Sequence, residues 1–254
     1  MSFFPGFIRL FWIGACAVAM LWQTHLLTGG FPPSATLLGF AFGATVFGYN
    51  FAAIEPLRLP AWLMGAGSAL CYAQLPVVQQ GATLFPALIW LLYSARFRLG
   101  LRRWPVLKPL AIALAWAWVT VWLPLPFHQW TGAGILFVGR AAFIFALALA
   151  YDLCDQPRDL QAGLPTLVLR LGPRRSHRLI HTALALGVFC AVLNGYLGIY
   201  SPSSALALAC SLLFSGWAIP PLTALQAWGH WQKAAIDALM ALQLGFVWWS
   251  VNFG

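Results

Sequence analysis

Long apolar stretches alternate along the whole chain with short interruptions, and those interruptions hold most of the charged residues and turn formers. The stretches fall at about 7–25, 34–51, 61–78, 83–96, 109–124, 133–152, 179–199, 205–222 and 234–253. Crossing a bilayer takes about 20 predominantly apolar residues, and most of these runs reach or approach that length. The fourth is short and the fifth is bounded by proline. The pattern predicts an all-α fold: a polytopic transmembrane bundle of nine helices, one integral-membrane domain over residues 1–254.

The basic residues test this segmentation independently, because cytoplasmic loops retain Lys and Arg. Arg9 precedes the first stretch and Arg58 follows the second. Arg96, Arg98, Arg102, Arg103 and Lys108 lie between the fourth and fifth. Arg158, Arg170, Arg174, Arg175 and Arg178 follow the sixth, and Lys233 precedes the ninth. The intervening loops 25–33, 78–81, 124–132 and 200–204 carry no Lys or Arg. Every second loop is therefore free of positive charge, which places the N-terminus in the cytoplasm and the C-terminus outside. Cysteine-accessibility tags at positions 103 and 175 are expected to label only from the cytoplasm, and tags at 129 and 202 only from outside. Labelling of position 129 from inside alone would refute the nine-span scheme.

Composition agrees with a lipid solvent: of 254 residues, 61% are hydrophobic and 7% are charged, against roughly a quarter charged in soluble domains. The net charge of +9 reads as membrane topology, since no basic run is long enough to form a nucleic-acid patch. Five cysteines without paired spacing imply neither a disulfide framework nor a zinc site. Nothing in the pattern implies an obligate protein partner, and a multi-pass protein of a bacterial inner membrane is the expected setting.

Three of the five acidic residues form one cluster, Asp152, Asp155 and Asp159, at the cytoplasmic end of the sixth stretch. On a continuous helix, offsets of three and seven residues bring the three carboxylates within roughly 60° of arc. Like charges so close require a cation, and oxygen-only ligands beside a phosphate favour Mg²⁺. Arg170 and Arg174 downstream suit a diphosphate. The alternative is that the aspartates simply pair with the neighbouring arginines across a solvated loop.

The segment Asp152-Leu153-Cys154-Asp155-Gln156-Pro157-Arg158-Asp159, followed by Gly163-Leu164-Pro165-Thr166-Leu167 and Leu171-Gly172, resembles the second aspartate motif of the UbiA prenyltransferase superfamily. The resemblance implies a nine-helix UbiA-like bundle with its N-terminus inside and aspartate motifs after helices two and six. It also implies Mg²⁺ held by Asp152, Asp155 and Asp159, with Asp152 and Asp155 as catalytic residues. The implied reaction transfers a prenyl group from its diphosphate to a lipophilic, aromatic acceptor. The first motif of that family, of the type NDxxDxxxD, is degenerate here: Asn50 matches, but Phe51, Ile54 and Arg58 stand at the acidic positions. Glu55 is one residue, or about 100°, out of register. Asn50 and Arg58 are the candidate diphosphate ligands on that side, with Arg58 neutralising charge that a carboxylate-bound metal would otherwise handle.

Arg140, in the middle of the sixth stretch, is a candidate polar residue of an internal cavity; its other reading is a structural hydrogen bond to neighbouring helices. His177 and His181 have metal-ligand spacing, yet they stand among arginines and read as a basic face. Two functions of other classes compete with transfer: a non-catalytic homologue that binds an isoprenoid or quinone-like lipid, and a transporter. The transporter is disfavoured because nearly all ionisable residues lie at one face of the membrane.

Overall fold

The computed structural model describes residues 3–29, 32–52, 59–94, 100–101, 104–129, 132–224 and 230–254. These form α1 (Phe3–Thr28), α2 (Ala35–Ala52), α3 (Leu59–Ala73), α4 (Val77–Ala82), α5 (Leu84–Tyr93), α6 (Leu107–Ala117), α7 (Gly134–Gln161), α8 (Leu167–Leu171), α9 (Pro173–Tyr196), α10 (Pro202–Ala224) and α11 (His230–Phe253). Five of them, α1, α7, α9, α10 and α11, are long and apolar enough to cross a membrane. With the broken rod Val77–Tyr93 taken as one, the described residues hold ten helices rather than the nine expected from the sequence. The tenth is α8, five residues long, too short to have left a periodic signal.

The helix of the fourth stretch, expected at 83–96, starts earlier, so that the expected loop 78–81 lies in α4, and it is interrupted at Thr83, near Pro86, which lacks an amide hydrogen. In lipid every backbone polar group must find a partner, and side chains supply them here. Gln80 Nε2 donates to the Tyr72 and Leu75 carbonyls at 3.2 and 2.9 Å, and Gln79 Nε2 donates to the Leu123 carbonyl at 3.2 Å. The end of α6 loosens into a π-helical turn, Trp118–Trp122, whose irregular backbone is partnered by threonines. Thr24 Oγ1 donates to the Thr120 carbonyl at 2.6 Å and Thr120 Oγ1 to the Trp116 carbonyl at 2.7 Å.

α7 is the central rod and packs against both α6 and α9. Its apolar positions are buried nearly all round, with Phe143, Ile144, Ala146, Leu147, Leu149 and Ala150 in the core. Around it, α9 packs on α10, α10 on α11, α11 on α1, and α1 on α2, which pairs with α3. Large apolar side chains such as Leu70, Phe189, Leu206, Leu213 and Trp217 point outward, as a lipid-facing surface requires.

Candidate functional site

The aspartates lie on the last turns of α7, which continues unbroken through Pro157 to Gln161. Asp152, Asp155 and Asp159 therefore keep the shared face that a continuous helix gives them. The chain then turns at Gly163, φ +62°, with the Leu164 amide donating to the Asp159 carbonyl at 2.9 Å. A second left-handed position, Gly172 at φ +75°, joins α8 to α9, and Pro173 occupies the first turn of α9. These two glycines of the motif are conformational requirements, because an L side chain is strained at such φ. Thr166 caps α8 through its side chain, accepting from the Leu169 amide.

The partners of the aspartates are lysines, one from each of two other helices. Lys108, in the first turn of α6, places Nζ 2.5 Å from Asp152 Oδ1 and 3.8 Å from Asp159 Oδ2. Lys233, in the first turn of α11, pairs with Asp155. Its carbonyl accepts from the Tyr151 hydroxyl at 3.1 Å, and its ammonium lies 6.0 Å from the centroid of the Tyr151 ring. Trp12 Nε1 ties the same turn of α11 to α1 through the Ala234 carbonyl at 3.1 Å. Among the described residues, three carboxylates thus face two ammoniums, all at one end of the bundle.

Sequence reading took both lysines for charges that set topology. A signal was available: a helix N-terminus disfavours positive charge, so a lysine in the first turn of an apolar helix calls for a carboxylate partner.

The remaining candidates are placed differently. Arg170 and Arg174 are exposed and make no ion pair with the aspartates among the described residues. Asn50 Nδ2 donates to the Val46 carbonyl of its own helix at 2.9 Å. Phe51 packs on Trp90 with ring centroids 4.8 Å apart, so the first acidic position of the degenerate motif has become part of an aromatic wall. Ile54, Glu55 and Arg58 lie outside the described residues. Arg140 is buried about 12 residues before Asp152 on α7, roughly 18 Å away along the axis. His177 bridges α9 to α10 through Thr223 Oγ1 at 3.0 Å.

Beside the charged cluster lies an apolar cavity of about 540 Å³ between α2, α3, α5 and α6. Small residues, among them Ala44, Gly48, Gly65, Ala87 and Ala115, open it, and Phe47, Tyr72, Trp90 and Trp116 wall it. Trp90 Nε1 is fixed on the Gly48 carbonyl at 3.1 Å, and Trp116 Nε1 donates to the Tyr49 hydroxyl at 3.3 Å. Tyr93, on the rim, is within electrostatic reach of Lys108. On α6 itself, Ala111, Ala115 and Val119 line the cavity, and Lys108 precedes them at the same helical spacing.

Among the described residues no three acidic, His or Cys side chains converge to enclose a metal ion. Mg²⁺ seldom needs such a cage, for it keeps several waters and binds through one or two carboxylates and substrate phosphates. Asp152 fits that requirement: it is buried, and its Oδ2 has no hydrogen-bond partner.

The sequence pattern of the UbiA prenyltransferase family matches residues 57–228. The chain belongs to the UbiA prenyltransferase family. Solved structures share the UbiA fold over essentially the whole chain. A UbiA homolog from Archaeoglobus fulgidus bound to GPP and Mg²⁺ aligns with a TM-score of 0.69 and 15% identity over 99% of this chain and 100% of that one. Its DMAPP and Mg²⁺ complex aligns with a TM-score of 0.66 and 14% identity over 100% of both chains. Digeranylgeranylglyceryl phosphate synthase aligns with a TM-score of 0.61 and 11% identity over 97% of both chains. No curated protein matches the chain in sequence. Membership of the family and five long apolar helices make this an integral, multi-pass membrane protein with a prenyltransferase-like role.

Proposed function

We propose that the protein binds a prenyl diphosphate with its tail in the apolar cavity and its diphosphate at the Asp152–Lys108 mouth, and transfers the prenyl group to a lipophilic acceptor. The observation that carries this reading is proximity: Tyr93 lines the apolar cavity and lies within electrostatic reach of Lys108, which pairs with Asp152. The ligand has the same two-part chemistry. The family and the GPP- and DMAPP-bound relatives support the substrate class.

In the proposed reaction the bond between C1 of the prenyl group and the diphosphate oxygen breaks, and the electron pair leaves with the diphosphate. The allylic cation is captured by a nucleophilic carbon or oxygen of the acceptor, which then loses a proton. Mg²⁺ bound at Asp152, with Asp155 and Asp159 nearby, would neutralise charge on the leaving diphosphate. Lys108 has three N–H donors; Asp152 takes one, Asp159 draws a second, and the third is left for a diphosphate oxygen. Arg170 and Arg174 are exposed and suited to close on the same anion, and Asn50 and Arg58 are the further diphosphate ligands we propose. The faces of Phe47 and Trp90 give the cation a π-rich wall, and the apolar lining keeps water from it. On this reading the bundle sits in a bacterial inner membrane with this mouth at the cytoplasm.

The packing of Phe51 on Trp90 favours a second reading, in which the protein holds an isoprenoid or quinone-like lipid without turnover. Diphosphate release from a panel of prenyl diphosphates, with and without Mg²⁺, separates the two. Release is expected in wild type, lower by roughly 10²–10³ in Asp152→Ala and Asp155→Ala, the cost of removing one electrostatic element from such a site. Tight binding without release establishes the lipid-holding reading. Neither binding nor release would overturn both.

A further inference from the structure

Far from the aspartates, the core of the bundle contains a positive charge that no carboxylate among the described residues neutralises. Arg140 is 3% exposed on α7. Its Nη1 donates to the Met20 carbonyl at 3.1 Å and to Thr120 Oγ1 at 3.4 Å, and its Nη2 to Thr24 Oγ1 at 3.4 Å. All three acceptors are neutral, and among the described residues no carboxylate pairs with it. These bonds explain the orientation of the side chain and leave its charge uncompensated. A guanidinium deep in a membrane protein is costly to bury, and arginines in such positions are ordinarily paired.

Beside Arg140 is a small buried space lined by polar side chains from three other segments: Asn194 of α9, Tyr200 of the following loop and Gln243 of α11. Asn194 and Gln243 are each 1% exposed. Neither amide atom of Asn194 has a hydrogen-bond partner, and Gln243 Nε2 has none, although Gln243 Oε1 accepts from Gln23 Nε2 at 3.1 Å. Buried polar atoms without partners cost about 1–3 kcal/mol each, so several of them around one space point to an occupant. The space measures about 20 Å³, above the roughly 10–15 Å³ that one water-sized species needs and too small for a substrate. Most of its remaining walls, Leu136, Phe143, Leu208 and Leu212 among them, are apolar, and none carries a carboxylate.

We infer that this space binds one small monovalent anion of the size of chloride, attracted by Arg140 and hydrogen-bonded by the amides of Asn194 and Gln243. A water in the same place would satisfy the amides but leave the guanidinium uncompensated. The anion accepts from the N–H groups of both amides and offsets the guanidinium charge. The Tyr200 hydroxyl lines the same space and interacts with the Asn194 amide. The site is independent of prenyl transfer, since it draws on different residues in another part of the bundle. Its role is to fasten α7, α9 and α11 around one ion.

The test is thermal unfolding of the detergent-purified protein while chloride replaces gluconate at constant ionic strength. Chloride is expected to raise the midpoint saturably, by about 5 °C at a hundredfold excess over its dissociation constant, and bromide to do the same. The rise should vanish in Asn194→Leu and in Gln243→Leu, with Arg140→Met as a third variant. Bromide soaked into crystals should give an anomalous peak among Arg140, Asn194 and Gln243. An identical midpoint in chloride and gluconate for the wild type would assign the space to water and overturn the proposal. So would a rise that fails to saturate or persists in the Asn194 and Gln243 variants, because it would come from salt acting at the surface.

Discussion

Replacing Lys108 by methionine is expected to lower the stability of the bundle by about 3–5 kcal/mol, the range for removing one member of a buried ion pair. The side chains of Lys108, Asp152 and Asp159 are only 10%, 6% and 9% exposed, so solvent screening does not reduce the interaction to the small value of a surface pair. Methionine keeps most of the apolar stem, and the loss isolates the charge. Asp152 would remain in a poorly hydrated mouth without the ammonium that pairs with it. Adding Asp152→Leu to Lys108→Met should recover much of the stability, because a buried pair can be exchanged for apolar groups at little cost. It should not recover prenyl diphosphate binding, which on the proposed reading needs the ammonium. Lys233→Met should cost less, since its partner Asp155 is 29% exposed and water can take over part of the solvation. Unfolding in mixed micelles measures all four proteins. Equal losses for the two lysines, or no rescue in the double variant, would show that burial does not govern this cluster.

The parts of the fold that were legible in the sequence were those set by the bilayer. Nearly every long helix left an apolar run, and residues such as Leu206 and Leu213, exposed in the structure, could be counted toward spans because lipid accepts them. What escaped notice was local. α8 is one turn held by the Thr166 cap, and the interruption at Thr83 between α4 and α5 comes without a change in composition. At the site, the common face of Asp152, Asp155 and Asp159 followed from spacing alone. The lysine partners did not, because Lys108 is 44 residues from Asp152 and Lys233 is 78 from Asp155, and only the packing of α6 and α11 against α7 brings them together. Arg140 was recognisable as a buried charge. That its neighbours would be hydroxyls and amides depended on the π-helical turn at Trp118–Trp122 and on Gln243 from a distant helix, neither of which has a one-sequence signature.

Filling the apolar cavity should discriminate between prenyl tails by length, and Ala115→Phe is the substitution suited to show it. Ala115 lies seven residues, about 10 Å along the axis, from Lys108 on the same stripe of α6, so an added ring would stand across the path of a tail whose diphosphate is at the mouth. The tail of dimethylallyl diphosphate ends before that point, whereas a twenty-carbon tail must pass it. Each buried methylene contributes about 0.8 kcal/mol, so displacing one five-carbon unit from the cavity costs about 4 kcal/mol, or roughly a thousandfold in affinity. The twenty-carbon diphosphate is expected to weaken by roughly 10²–10³, and dimethylallyl diphosphate by no more than a few fold. Because the ring enters existing space, it should not overpack the core, and the unfolding midpoint should stay near that of the wild type. Equilibrium binding of both diphosphates to the two proteins is the measurement. Equal weakening of the short and long ligands would place the effect at the diphosphate end, and unchanged binding of the long one would mean that the tail lies outside this cavity.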